Sequence, residues 1–215
     1  MLQLIGAFAA SWSEATGELY TGRSVLAHAT GDVAAAGMLC TSPTLGSMAA
    51  ERFLALSIAG AQRRLYITNA YFAPDGNFVA LLAEAARRGV DVRLLVGGPS
   101  TDVRVARRAA HARYDVCFAA GVRIWEYRPT TLHAKTFVVD GLWSSVGTMN
   151  FDNRSLALND EATLMVRDGP FAERLEQQFA VDLRNAIEVD AHAFARRPRT
   201  QHVAKWGSNL ITRLL

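Results

Sequence analysis

Apolar residues fall at helical spacing over residues 2–12, where Leu2, Ile5, Phe8, Ala9 and Trp12 would share one face, and this predicts a short amphipathic helix. Residues 16–43 are rich in Gly, Thr, Ser and Ala without a sustained period and read as a linker. A regular alternation of helical and extended patterns follows. Residues 47–60 read as a helix with Ser47 as N-cap and Gly60 at its stop, and 64–69 (RLYITN) as a short strand. Residues 75–88 predict a helix ended by Gly89, 90–96 (VDVRLLV) a strand closed by Gly97-Gly98-Pro99, 101–120 a helix ended by Gly121, and 122–127 a strand. Two strands, 134–139 and 143–147, flank an Asp140-Gly141 turn signal, and 161–166 is another. Residues 170–189 predict a long helix with Phe171, Leu175, Phe179 and Leu183 four apart.

Strands alternating with helices predict an α/β fold, a β-sheet flanked by helices on both faces, and the Asp-Gly hairpin makes that sheet mixed. Three segments follow: a helix and linker over 1–40, the domain over 41–189, and a tail over 190–215. A chain that is 50% hydrophobic and 20% charged is globular in composition. The net charge of +3 suits an anionic substrate or surface and is too small to argue for nucleic acid. Cys40 and Cys117 form neither a CxxC pair nor a metal spacing and read as reduced core thiols of a cytoplasmic protein. The apolar start lacks a basic leader and Glu14 follows closely, so no secretory signal is expected. No run reaches the roughly 18 apolar residues of a membrane span. Trp12, Trp143 and Phe179 read as core, and Arg87, Arg88, Arg107 and Arg108 as solvated helix charges.

Of five histidines, only His133 has a lysine two residues on. In an extended segment that spacing projects both side chains from one face. The pair suits phosphoryl chemistry: an imidazole nitrogen attacks phosphorus, and the Lys135 ammonium neutralises the non-bridging oxygens. Gly147, Thr148 and Asn150 supply a loop on which Gly147 permits close approach and the Thr148 hydroxyl and Asn150 amide can donate. A carboxylate on the other ring nitrogen would fix the tautomer of His133; Glu161 is the candidate and Asp160 a weaker one. His111-Ala-Arg113 imitates the pair without the downstream residues and reads as helix surface.

The run His133-x-Lys135-x4-Asp140-x6-Gly147-Thr148-x-Asn150 resembles the HKD signature of the phospholipase D superfamily, HxKx4Dx6GSxN, with Thr148 in place of serine as its single departure. The stretches from Arg64 through Tyr71, Phe72, Pro74 and Asp75, and from Trp125 and Tyr127 to Lys135, are similar to the second half of bacterial cardiolipin synthases from about residue 40 onward. The resemblance implies a phospholipase D-like α/β/α sandwich, one half of a two-domain enzyme, with residues 1–40 matching the connection between halves. It implies catalytic His133, Lys135 and Asp140, with Asp140 equally able to be a turn residue, and a pocket wall at Tyr71. It further implies phosphatidyl transfer between phosphatidylglycerol molecules through a phosphohistidine, with no metal or cofactor. Family enzymes carry two motifs and this chain has one. The expected partner is therefore a second HKD half, from a homodimer or from a preceding N-terminal domain, and the chain reads as part of a longer enzyme.

The tail carries Arg196, Arg197, Arg199, Lys205 and Arg213 with Trp206, Leu210, Ile211, Leu214 and Leu215 and no acid after Asp190. A basic amphipathic end suits an anionic bilayer, and with the resemblance it places the chain peripherally on the inner face of the cell membrane. Two other readings stay open: a single-motif phosphodiesterase acting on nucleic acid as a homodimer, and an inactive truncated remnant.

Overall fold

The computed structural model describes residues 2–19, 35–42 and 48–197. In chain order the elements are α1 (Leu2–Thr16), β1 (Ala35–Thr41), α2 (Ala49–Gly60), β2 (Arg64–Asn69), β3 (Phe72–Ala73), α3 (Gly76–Arg87), β4 (Asp91–Gly97), α4 (Arg104–Ala119) and β5 (Arg123–Tyr127). They continue with β6 (Lys135–Val139), β7 (Trp143–Gly147), β8 (Phe151–Asp152), α5 (Asn153–Ala157), β9 (Glu161–Arg167), α6 (Gly169–Leu183), β10 (Ala186–Glu188) and α7 (Ala191–Ala195). Eight strands form one sheet in the order β1-β9-β7-β6-β2-β4-β5-β10, parallel at β2-β4-β5 and antiparallel elsewhere. The expected mixed α/β architecture is the observed one.

Alternation in the strands divides the core. Leu65, Ile67, Val92, Leu94, Ile124, Phe137 and Val139 pack under α2, α3 and α4. Leu95, Trp125 and Leu132 face α6, where Tyr66 stacks on Phe179 at 5.0 Å. The helices begin where side chains satisfy their free N–H groups. Asp75 accepts from Asn77 and Phe78 at 2.9 and 3.0 Å, and Asp168 accepts from Phe171 at 2.7 Å. Gly89 and Gly121 follow α3 and α4 with φ of 92° and 90°, where a side chain would be strained.

Several expectations are corrected. Part of the expected linker is strand β1, which pairs antiparallel with β9 from Ala35↔Arg167 to Thr41↔Glu161. Its sequence, AAGMLCT, is weak in β-preference, so pairing to a formed neighbour decides its state. The long final helix stops at Leu183, and Ala186–Glu188 instead pairs with the free edge of β5. Residues 191–195 of the expected tail are a helix capped by Asp190, whose buried Phe194 packs on His111 and Tyr114, so this stretch belongs to the domain. Arg199 and the tail residues after it, like Ser47, lie outside the described residues. Trp12 is 40% exposed rather than core, and Cys40 is exposed on β1, whereas Cys117 is buried and its thiol is pushed up to about 12 by that burial. His111 and Arg107 do not lie on a solvated face: both bind the buried Glu126 carboxylate, at 2.6 and 2.7 Å. Burial pushes the Glu126 carboxyl up, but the two donors outweigh it and hold it down at about 2.

Candidate active site

Strand register assembles the site. Asn69, the last residue of β2, lies opposite Lys135, the first of β6, and beside Val96 near the end of β4. Thr136 pairs with Val146, which brings the turn after β7 to the same end of the sheet. The carboxyl ends of the parallel strands β2 and β4 therefore open onto this cluster, the end where α/β sheets bind ligands.

His133 stands in extended chain just before β6 and is exposed, while Lys135 is 9% exposed. The two side chains face each other: Lys135 Nζ lies 3.1 Å from His133 Nδ1 and donates to the His133 carbonyl at 2.8 Å. An ammonium has only donors, so Nδ1 is the acceptor and the neutral ring carries its proton on Nε2. Burial lowers the Lys135 pKa, and the fields of Glu161, Asp102 and Asp152 partly oppose that by favouring the ammonium.

Below them, Lys135 lines a small cavity with Asn69, Gly147, Asn150 and Thr163. Asn150 Oδ1 is buried there without a hydrogen-bond partner. A half-turn of the amide would present Nδ2 at the same place, so Asn150 can donate to an anion. Gly147 pairs with Thr163 on β9, and a Cβ at Gly147 would lie 2.5 Å from Thr163 Oγ1 and 2.6 Å from the Ala162 carbonyl. Its lack of a side chain thus serves packing against β9 as well as the cavity. Asn69, which the sequence reading passed over, ties the loop down. It accepts from Phe151 N–H at 3.0 Å and Tyr71 N–H at 3.3 Å, and donates to the Met149 carbonyl at 3.4 Å.

Glu161 and Thr148 are brought together, but not as expected. The Thr148 hydroxyl donates to Glu161 and accepts the Ala162 N–H at 3.0 Å, and Glu161 also accepts from Asn159 at 3.1 Å. Glu161 thus makes its hydrogen bonds to Thr148 and Asn159 rather than to His133, whose Nδ1 faces Lys135. Asp160 is exposed. The Tyr71 ring stands edge-on to His133 at 6.3 Å between centroids and 6.0 Å from Lys135 Nζ. Asp152, also unforeseen, is 6% exposed, caps α5 by accepting from Ser155 at 2.8 Å, and has its pKa pushed up to about 6 by burial and by the nearby Glu161 charge.

Asp140 is not brought to this cluster. It follows the last residue of β6 at the far side of the sheet, roughly 16 Å from Lys135 at about 3.3 Å per residue. Its carboxylate accepts the N–H groups of Gln62, Arg63 and Arg64 at 3.0, 2.7 and 2.9 Å. Its φ of 55° forms the hairpin turn, a conformation that Asp tolerates better than most residues. The structure therefore corrects its catalytic assignment: the motif aspartate locks the turn to the α2–β2 connection.

Residues 54–183 match the family described as "Cardiolipin synthase, PLD-like domain". The chain belongs to this family. Cardiolipin synthase A of Pseudomonas entomophila (strain L48) is 37% identical over 184 residues, which are 83% of this chain and 38% of that protein. Cardiolipin synthase of Geobacillus sp. (strain WCH70) is 35% identical over 158 residues, 74% of this chain and 31% of the relative. The chain thus spans well under half the length of these curated relatives. Phosphatidylserine synthase of Haemophilus influenzae Rd KW20 superposes with a TM-score of 0.65 at 17% identity, over 92% of this chain and 51% of that one. Nuc, a phospholipase D family member from Salmonella typhimurium, superposes at 0.61 and 18% identity, over 72% of this chain and 98% of Nuc. At such identities the two structures speak for the fold.

In chemical terms, this phospholipase D-like domain presents an exposed imidazole, a largely buried ammonium touching it, and an unpaired buried amide oxygen at one end of the sheet. No helix among the described residues is long and apolar enough to cross a membrane.

Proposed function

We propose that this chain supplies one histidine-bearing half of a cardiolipin synthase-type phosphatidyltransferase. The observation that carries the reading is the contact of Lys135 with His133 above a cavity lined by Asn150, whose buried amide oxygen has no hydrogen-bond partner. Lys135 occupies the Nδ1 lone pair. A phosphodiester entering the cavity competes for the ammonium through its non-bridging oxygens, and Asn150 offers a second donor. The ring, released from Lys135, attacks phosphorus. A nitrogen–phosphorus bond forms as the bond to the glycerol oxygen breaks, and the departing glycerol takes a proton from an acid on a second HKD half. A hydroxyl of a second phosphatidylglycerol then attacks phosphorus, gives its proton to that same group, and displaces the imidazole. Glu161, held by Thr148 and Asn159, keeps Lys135 charged through its field.

The second half comes from another copy of the chain or from an N-terminal domain. Without it, general acid help worth about 10²–10⁴ in rate is missing. The substrate is an anionic phospholipid, so the domain works peripherally at the inner face of the cell membrane. The family membership and the relatives named cardiolipin synthase favour this over a phosphodiesterase acting on nucleic acid. The test pairs two assays on chain joined with its second half: phosphatidyl transfer between labelled phosphatidylglycerol molecules, and plasmid nicking. Lipid product lost in Lys135→Ala, with no nicking, supports the reading; nicking without lipid product overturns it.

A further inference from the structure

The phosphoryl site has a negatively charged neighbour that phosphate binding does not require. The loop between β4 and α4 is pinned against the chain that follows β2: a Cβ at Gly97 would lie 3.0 Å from the Ala70 carbonyl and 3.6 Å from Thr101 Oγ1. A Cβ at Gly98 would overlap the Tyr127 carbonyl, so the loop also closes tightly on β5. This fixed loop carries Asp102, whose two carboxylate oxygens share the Tyr71 hydroxyl proton, each at 2.9 Å. Tyr71 in turn forms the wall beside His133 and Lys135.

Three features separate this pair from an ordinary surface hydrogen bond. Asp102 is exposed and forms no ion pair among the described residues, and Lys135 is a cation close enough to feel its charge. A carboxylate offers about four acceptor positions, and one shared proton leaves most of them open. An unneutralised anion hydrogen-bonded to the ring beside Lys135 also repels phosphate, so its presence calls for a ligand group that it attracts. Its open acceptors are held one aromatic ring away from the Lys135 ammonium, a separation that the alcohol portion of a phosphoryl ester can span. The free lone pair of the Tyr71 oxygen adds a neighbouring acceptor.

We propose that Asp102 and Tyr71 form the recognition subsite for the hydroxyl groups of an uncharged polyol esterified to, or attacking, the phosphoryl group bound by Lys135. This deepens the proposed function and rests on it: Asp102 is a specificity-determining residue that accepts hydrogen bonds from the polyol and repels alcohols bearing a second negative charge. A cationic amino alcohol fits less well, because Lys135 stands 6.0 Å from the Tyr71 ring centre, where it takes up the cation-attracting ring and repels an ammonium.

Equilibrium binding to the full chain separates the two levels, with inorganic phosphate, glycerol phosphate, phosphoethanolamine and phosphoserine as probes, in wild type, Asp102→Asn, Tyr71→Phe and Lys135→Ala. The wild type is expected to bind glycerol phosphate about tenfold more tightly than inorganic phosphate, the worth of one charged hydrogen bond. Asp102→Asn should erase most of that preference while strengthening binding of phosphate and phosphoserine several-fold, and Tyr71→Phe should weaken the preference in part. Lys135→Ala should weaken every probe. Equal wild-type affinity for phosphate and glycerol phosphate, unchanged in Asp102→Asn, overturns the subsite and leaves the phosphoryl site standing. A larger gain with phosphoethanolamine than with glycerol phosphate overturns the polyol assignment in favour of an amine. Failure of all four probes to bind wild type removes the phosphoryl site itself, and the subsite with it. Since Asp102 is exposed, its variant should keep the wild-type fold, with Tyr71→Phe as the independent second perturbation.

Discussion

Replacing Asp140 should cost stability rather than chemistry. Its carboxylate accepts three backbone N–H groups, of which the Arg64 bond is half-buried and the Gln62 and Arg63 bonds are exposed. A net contribution of about 1.5–2 kcal/mol for the half-buried charged bond and about 0.5–1 for each exposed one totals about 3 kcal/mol. Asp140 also holds φ at 55°, where alanine adds about 1 kcal/mol of strain that asparagine largely avoids. Asp140→Ala should therefore lose about 4 kcal/mol and Asp140→Asn, which keeps one amide oxygen as acceptor, about 1–2. At about 2–4 °C per kcal/mol for a chain of this size, the alanine variant should melt about 8–16 °C lower. The pH dependence has a definite sign. Burial raises the Asp140 pKa, but the three N–H groups outweigh it and lower it below the ordinary value. Its contribution is thus present above the usual carboxylate range and lost as pH falls through the lowered pKa, so wild type and Asp140→Asn should converge in acid. Urea unfolding at pH 7 and pH 3, with activity measured per folded molecule, gives the answer. A variant with wild-type stability but abolished turnover would refute the structural assignment and return Asp140 to the chemistry.

Other outcomes follow from the same geometry. Asp152, pushed up to about 6, loses stability as pH rises through that value, the opposite sign to Asp140. Asp152→Asn, which keeps an acceptor for Ser155, should therefore gain up to about 3 kcal/mol over wild type at pH 8 and nothing below pH 4, read by urea unfolding. Glu126, held at about 2, contributes about 3 kcal/mol above pH 4.5 that disappears as pH falls toward 2, and His111→Phe should move that acid limb to higher pH in a thermal-melt titration. Asn69→Ala leaves the buried Phe151 N–H unpaired and should cost about 1–3 kcal/mol of stability. It should also lower transfer activity further than its folded fraction explains, because the Met149–Asn150 loop loses its tether.

The parts legible in the sequence share one property: their signal is local. The alternation in RLYITN and VDVRLLV, the glycine stops after α3 and α4, and the Asp-Gly turn each predict an element from a handful of neighbours, and the fixed motif spacing predicts that Lys135 and Asn150 line one cavity. What was missed depends on partners distant in the chain. AAGMLCT carries no clear period and becomes β1 only because β9 offers an edge, and Ala186–Glu188 leaves the helical pattern because β5 does the same. Asn69 reads as the end of a strand until register sets it opposite Lys135. Glu161 opens β9 as expected, yet its place in the network follows from Thr148 lying across the β7–β9 pair, which no spacing along one strand reveals. Asp152 is an N-cap residue type visible in the sequence, but its burial comes from β8 packing beside β3.

The central claim is that His133 is a nucleophile toward phosphorus with Lys135 as its electrostatic partner. Full-length protein, mixed with phosphatidylglycerol carrying a labelled phosphate, quenched rapidly and digested under conditions that preserve phosphoramidates, should yield a labelled phosphatidyl adduct on the peptide bearing His133. That adduct should be absent in His133→Ala and strongly reduced in Lys135→Ala. An active enzyme whose label never resides on His133, or whose His133→Ala variant turns over at the wild-type rate, would contradict the account.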